Sequence, residues 1–437
     1  MTPWVQTRVV EFFTRQIERQ TGTEISIGRV NFRPIESLVL EDVLIKDARK
    51  DTLLFCKRLV TKVDSVSFVK RRFTVTEMGF EKALFNLWVT RGKEGGVTNI
   101  ELWLDVLSNA RDTLSSSVTS ASPLEWNVNL SKVYLKDCRF KYAEDEYEPE
   151  EYGINWTDVD CRKLDVVISD IDFSGGRYGA YVSGLTLEEK SGFRLLNLSA
   201  RILAEDDQLL ITKGLIQTER SELYLDTLQY NWVPNERYWH FFTQKMKQRY
   251  VFSPSTLHFD DLAYFNGELL GMNNIIVASG EVSSTVNRLE GRRLEIYLGE
   301  KSVIKGEFKS IGLPRFWETD FDITFRDSRI ASEELEGIYM PWLESHYVKL
   351  PDLLHKYRTF DLEGNFKGRI EDFILTAKSE TPGLLGSIGL TYKPDTIAGH
   401  RYHGSFRFYH VDYGFLTGQS YLGNGSYFGK YTGNLRD

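Results

Sequence analysis

Residues 360–370 read Phe360-Asp361-Leu362-Glu363-Gly364-Asn365-Phe366-Lys367-Gly368-Arg369-Ile370. Large apolar and polar side chains alternate, and twice a glycine is followed by a polar residue and then a large apolar one. The same phrase recurs as Gly280-Glu281-Val282, Gly306-Glu307-Phe308, Gly386-Ser387-Ile388 and Gly404-Ser405-Phe406. Each copy opens or lies within an alternating run, the pattern of a half-buried strand. Repetition of this kind predicts β-structure built along one axis, which offers long surfaces rather than one central site. Glycine weakens a strand interior and is kept where the sheet bulges, bends or lets another backbone close. The phrase is therefore expected to mark the corners of an irregular trough.

Working outward, period-two runs occur at Ile25/Ile27, Val66/Phe68, Phe73/Val75, Phe85/Leu87/Val89 and Trp126/Val128/Leu130. They resume at Leu196/Leu198/Ala200/Ile202, Leu223/Leu225, Leu294/Ile296/Leu298 and Phe321/Ile323/Phe325. The strand count is on the order of twenty-five. Helices are few. Val5, Val9, Phe12, Phe13 and Ile17 predict an amphipathic helix over 3–21, with Gly22 as its stop. Shorter helical segments are expected at 99–110, from Pro234 to Arg249, at 332–344 and at 351–357. Residues 111–123 form a Ser/Thr-rich loop. The organisation that follows is a helix at 1–22, a β region at 23–232, a boundary helix at 233–250 and a repetitive β region from 251 to 437. The fold class is mainly β, an elongated curled sheet. The absence of β-α-β alternation argues against doubly wound and TIM-barrel folds.

Chemistry is sparse. The net charge of −8 argues against a nucleic-acid partner, and Lys70-Arg71-Arg72 reads as a turn. Zinc, nucleotide and serine-hydrolase motifs do not occur. His400 and His403 are three apart, which on a strand puts them on opposite faces. The acidic run 144–151 lacks the calcium-loop spacing and reads as a solvated hairpin loop. Cys56, Cys138 and Cys161 have no metal-ligand spacing; free buried thiols are expected, although Cys138 and Cys161 lie where they could face each other. No catalytic residue, metal or cofactor is expected. No apolar run is as long as the ~18 residues of a spanning helix. What remains is the apolar faces themselves, which suit a dry sandwich core or a partly open trough for acyl chains equally well.

The glycine phrases and their surroundings resemble the AsmA-like family of bridge-like lipid transport proteins, in its TamB (translocation and assembly module) branch. The resemblance rests on Thr21-Gly22-Thr23-Glu24-Ile25-Ser26-Ile27-Gly28-Arg29-Val30, on Leu38 to Asp47 followed by Asp51-Thr52-Leu53-Leu54, and on Ser253-Pro254-Ser255 with Leu262-Ala263-Tyr264-Phe265. Ile311-Gly312-Leu313-Pro314 and Phe360 to Gly368 complete it. It implies a long curled β-sheet with an apolar groove, in the periplasm and tethered to the inner membrane by an N-terminal helix. It also implies phospholipid movement between membranes and assembly of outer-membrane proteins with a TamA-like barrel partner. That membrane helix would precede residue 2, and the barrel-contacting region would follow residue 437.

The reading is a non-enzymatic conduit that shields phospholipid acyl chains. Its wall candidates are Phe85, Leu87, Val89, Leu196, Leu198, Leu294, Ile296, Leu298, Phe321, Ile323 and Phe325. A rival reading is a scaffold whose sheet edge templates client barrel strands by β-augmentation. A third, a β-rich enzyme, requires a cleft with two carboxylates ~5–10 Å apart.

Overall fold

A strand that alternates in sequence becomes stable when its neighbours alternate in register, so that one face of the pair collects the apolar side chains. The computed structural model describes residues 24–33, 37–47, 49–67, 72–90, 96–101, 125–145, 149, 151–174, 176–233, 242–340, 346–350, 355–395 and 399–435. Among these the fold is mainly β, with 21 strands in an open sheet and a few helical turns. The helix expected over 3–21 and the loop expected over 111–123 lie outside the described residues. Of the helix expected over 99–110, only 99–101 are described, and they are helical.

The chain divides into two units, Met1–Leu203 with Ile216–Glu219, and Ala204–Leu215 with Arg220–Asp437. The division falls ahead of the boundary helix expected at 233–250. That helix ends earlier than expected: its described residues form α1 (Phe242–Lys245), and Lys247 already begins a strand. Gln248, Tyr250 and Phe252 alternate and pair with Ser284, Val282 and Gly280, so cross-strand burial outweighs the helical spacing of Phe242 and Met246.

The first unit carries β1 (Ile25–Arg33), β2 (Ser37–Lys46), β3 (Thr52–Ser67), β4 (Arg72–Thr90), β5 (Val97–Thr98), β6 (Glu125–Glu144), β7 (Asp158–Ser174), β8 (Arg177–Glu189) and β9 (Arg194–Glu205). β1 to β5 pair antiparallel in succession, as do β6 to β8, while β4 and β6 run parallel. The row Ile27–Val43–Cys56–Ala83 crosses four strands, and Val43, Cys56, Ala83 and Cys138 form its buried core. The three thiols are free and buried. The register sets Leu164, not Cys161, opposite Cys138. Burial pushes all three thiols up, Cys161 to about 11 with added repulsion from Glu189 and Asp160.

Asp160 is the strongest ionic anchor of this unit. Its carboxylate accepts from Arg139 at 2.7 and 2.5 Å and from Arg162 at 3.1 Å, and its side chain is 10% exposed. The Arg139 hydrogen bonds, opposed by burial and helped by Arg162, hold it well below the usual carboxylate range. Its contribution is therefore complete above about pH 4 and is lost as pH falls through the depressed folded-state value. Asp160→Asn is expected to cost about 2 kcal/mol at pH 7 and to flatten the acid limb of a melting-temperature profile. An unchanged acid limb would show that the pair contributes nothing.

The second unit carries β10 (Gln208–Thr218), β11 (Glu222–Asn231), β12 (Lys247–His258), β13 (Ile275–Thr285), β14 (Arg288–Leu298), β15 (Ser302–Ile311) and β16 (Asp320–Ala331). It continues with β17 (Thr359–Arg369), β18 (Asp372–Ser379), β19 (Leu385–Asp395), β20 (Gly399–Asp412) and β21 (Asn424–Leu435). From β11 onward each strand pairs antiparallel with the next. Helical turns follow every fourth strand: α2 (Phe259–Ala263), α3 (Ser332–Glu336) and α4 (Tyr413–Thr417) come after β12, β16 and β20. Each has five residues with leucine in the fourth place, Leu262, Leu335 and Leu416. The latter two pack on the buried cluster Ile330, Tyr357, Phe360 and Leu384. The helix expected over 332–344 thus ends at Glu336. One face of this unit is laced by cross-strand ion pairs, among them Arg249–Glu281, Arg326–Glu307, Arg369–Asp320 and Arg329–Asp361. The other face is apolar.

Several glycine phrases lie at interruptions of the ladder: the register shifts across Gly280, beside Gly306 and next to the pair Phe325–Gly364. Register shifts interrupt most strand pairs, and some of the residues there are charged and in the left-handed conformation: Asp137, Lys163, Arg293 and Asp327 have φ between 47° and 51°. These are bulge residues, which bend a strand and raise its twist. Each directly precedes a residue of the apolar face, such as Cys138, Leu164 and Leu294. The extra residue flips the phase of alternation, so a charged side chain stays on the polar face while burial resumes one position late.

Candidate functional site

The apolar face of β16 shows how the site is assembled. Phe321, Ile323 and Phe325 share it, the phase slips at Asp327, and Ser328 and Ile330 continue it. On β17 the residues opposite are Gly368, Phe366, Gly364, Leu362 and Phe360. On β18, Phe373, Leu375 and Ala377 face Gly368, Phe366 and Gly364. These rows enclose an open cavity of about 420 Å³ lined by Phe316, Phe321, Ile323, Phe325, Leu362, Gly364, Phe366, Ile370, Leu375, Thr376 and Ala377. None of the lining side chains is ionisable. The volume is in the range of a small-ligand site, ~300–1,000 Å³.

Aromatic rings continue the surface beyond the cavity. Phe366 stacks on Phe373 at 4.9 Å, Phe373 on Tyr392 at 5.3 Å, and Tyr392 on His400 at 5.0 Å. His400 therefore lies on the apolar face. His403, opposite Thr391, lies on the polar one. No group of three metal-ligating side chains occurs among the described residues.

Burial grades across this face. Near the helical turns Ile330 is 3% and Phe360 8% exposed, whereas Phe321, Ile323, Phe325, Phe366 and Leu375 are only half-buried. The face is thus packed at the strand ends beside α3 and α4 and uncovered in mid-strand.

The bulge is held by a serine. At Ser328 the shifted ladder would leave a backbone donor unpaired; instead Lys305 N–H donates to Ser328 Oγ at 2.9 Å, and the hydroxyl donates to Lys305 O at 3.1 Å. Ser255 serves the β11–β12 bulge in the same way, accepting from Tyr224 N–H at 2.9 Å. Ser328→Ala leaves a buried N–H without a partner and is expected to cost about 1–3 kcal/mol. Faster amide exchange at Lys305 should accompany it, and an unchanged exchange rate would refute the bridging role.

No family model, curated protein or solved structure matches this chain. The functional reading therefore rests on its own residues. Of the wall candidates, Phe321, Ile323 and Phe325 line the cavity directly. Leu294, Ile296 and Leu298 lie on the same face of β14, opposite Gly306, Ile304 and Ser302. Leu298 also borders a second apolar cavity of about 450 Å³, with Met272, Ile276, Ile338 and Met340. Phe85, Leu87, Val89, Leu196 and Leu198 belong to the first unit. There Phe85 packs against the buried core, and Leu87, Val89 and Leu198 are half-buried. Leu196 is 47% exposed, while Leu195 beside it is 8% exposed; alternation from Ala200 assigned the wrong leucine. The residues that sequence reading missed are Phe316, Leu362, Phe366, Ile370, Leu375 and Ala377. Five of them follow the alternation of residues 360–377; only Phe316, on a 3-10 turn at Phe316–Glu318, carried no periodic signal.

Proposed function

We propose that this chain is a periplasmic segment of an AsmA-like, TamB-type protein whose apolar face shields phospholipid acyl chains as they move between inner and outer membranes. The observation that carries the reading is the uncovered mid-strand face of β16–β18, apolar over three strands and half-buried where a dry core would be closed. An acyl chain asks only for an apolar wall, and each methylene removed from water is worth ~0.8 kcal/mol. The headgroup stays in water at the open side, so no polar catalytic cluster is required. Among the described residues no helix is long and apolar enough to cross a membrane, so in this reading the inner-membrane anchor and the contact with a TamA-like barrel lie on other residues of the protein.

The test is photolabelling of the purified chain by a phospholipid with a diazirine in its acyl chain. Labels are expected within residues 316–377 and to be competed by unlabelled phospholipid. Labels confined to the ion-paired face would overturn the proposal. A second reading, a scaffold that templates client barrel strands, draws on β21, whose register pairs it with β20 alone among the described strands. Amide protection of Tyr427 to Lys430 by a barrel-strand peptide would favour it.

A further inference from the structure

On the ion-paired face of the second unit, the last strands break the pattern. Two cross-strand rows meet there: Lys378–Ser387–Arg407 and Gly389–Ser405–Lys430. They line a concavity of about 800 Å³. Lys378 is neutralised by Glu380 and lies opposite Glu363. Arg407 and Lys430 have no acidic partner among the described residues, whereas the face of β14–β17 is paired strand to strand. Glycine at 389 keeps the centre of the concavity low, and its backbone does not demand glycine: a Cβ there would meet only Ser405 Oγ, at 3.9 Å.

We propose that this concavity is an anion site for a phosphate group, with Arg407 and Lys430 as its cations and the Ser387 and Ser405 hydroxyls as donors. An arginine presents a planar fork that matches a phosphate edge, and a lysine adds a compact point charge. Two unpaired cations beside two hydroxyls, in a chain of net charge −8, are a local reversal of sign that attracts a phosphate mono- or diester. Phe428, opposite Arg407 and 78% exposed, supplies an apolar flank for the group that carries the phosphate. The site lies on the face opposite the acyl-chain cavity and does not depend on that reading.

The test titrates the full chain with pyrophosphate by calorimetry, and with phosphatidylglycerol and phosphatidylcholine vesicles by sedimentation. Pyrophosphate is expected to bind at low salt and to weaken as salt rises. The double variant Arg407→Ala/Lys430→Ala should weaken it at least tenfold. Gly389→Val, which leaves every charge in place and fills the centre of the concavity, should do the same. Preference for phosphatidylglycerol vesicles that is lost in both variants assigns the phosphate to a lipid headgroup; pyrophosphate binding without vesicle binding assigns it to a soluble phosphate compound. Absence of pyrophosphate binding, or equal binding by wild type and both variants, overturns the site. Acyl-chain photolabelling in the same variants is expected to be unchanged, which separates failure of this site from failure of the conduit.

Discussion

Gly364→Ala is expected to destabilise the second unit by about 3 kcal/mol, and Gly364→Val by more. A Cβ on Gly364 would sit 2.2 Å from the carbonyl oxygen of Thr376 on β18, and one on Gly306 would sit 2.1 Å from that of Thr324 on β16. Both obstacles are backbone, so no side-chain rotation relieves them; the strands must separate and lose ladder hydrogen bonds. Phe325 lies between the two, opposite Gly306 on one side and Gly364 on the other. Gly389→Ala is the internal control, because its Cβ meets nothing closer than 3.9 Å. It is expected to be neutral or to stabilise by about 0.4–1 kcal/mol through a less flexible unfolded chain. Urea melts of the three variants decide the matter: if Gly364→Ala and Gly389→Ala behave alike, close strand approach is not why Gly364 is glycine.

The same contacts explain what the glycine phrase means. At Gly386 and Gly404 a hypothetical Cβ would lie 2.4 Å from the ring of Phe408 and 2.6 Å from that of Tyr431. Glycine here makes room for a cross-strand aromatic, a known device for filling the gap that a glycine leaves. The bulges lie at residues such as Asp137, Arg293 and Asp327, and phrase glycines sit across or beside some of them, as at Gly280, Gly306 and Gly364. Class and face were legible in the sequence because a period of two survives any neighbour: Phe321, Ile323 and Phe325 could be placed on one face without knowing what they pair with. The bulges were not legible by eye, because a charged residue in a strand looks like ordinary polar alternation. Their trace is a change of parity, Leu289 and Gly291 giving way to Leu294 and Ile296, and that trace does exist in the sequence. The parallel pairing of β4 with β6 left no comparable trace, since it depends on a crossover and not on any residue of either strand.

Ile323→Glu is expected to reduce acyl-chain photolabelling of residues 316–377 at least tenfold, and Ile296→Glu to reduce labelling along β14. A carboxylate set among Phe321, Phe325, Phe366 and Leu375 must be desolvated whenever a chain lies over it, and about 1.4 kcal/mol of that cost suffices for a tenfold loss. Thr324→Glu is the matched control. It adds the same charge one position away, yet residue 324 lies on the ion-paired face, where Asn365 Nδ2 donates to Thr324 Oγ1 at 3.3 Å. Since a one-residue step exchanges faces, Ile323→Glu and Thr324→Glu should differ sharply in labelling while both fold, because Ile323 is only half-buried and its variant leaves the buried cluster at Ile330 and Phe360 intact. Circular dichroism and melting temperature check that condition. Equal labelling of the two variants would mean that the apolar face does not hold the chain. Loss of labelling in both, with folding retained, would mean that the probe responds to added charge rather than to the face, and the conduit reading would lose its support.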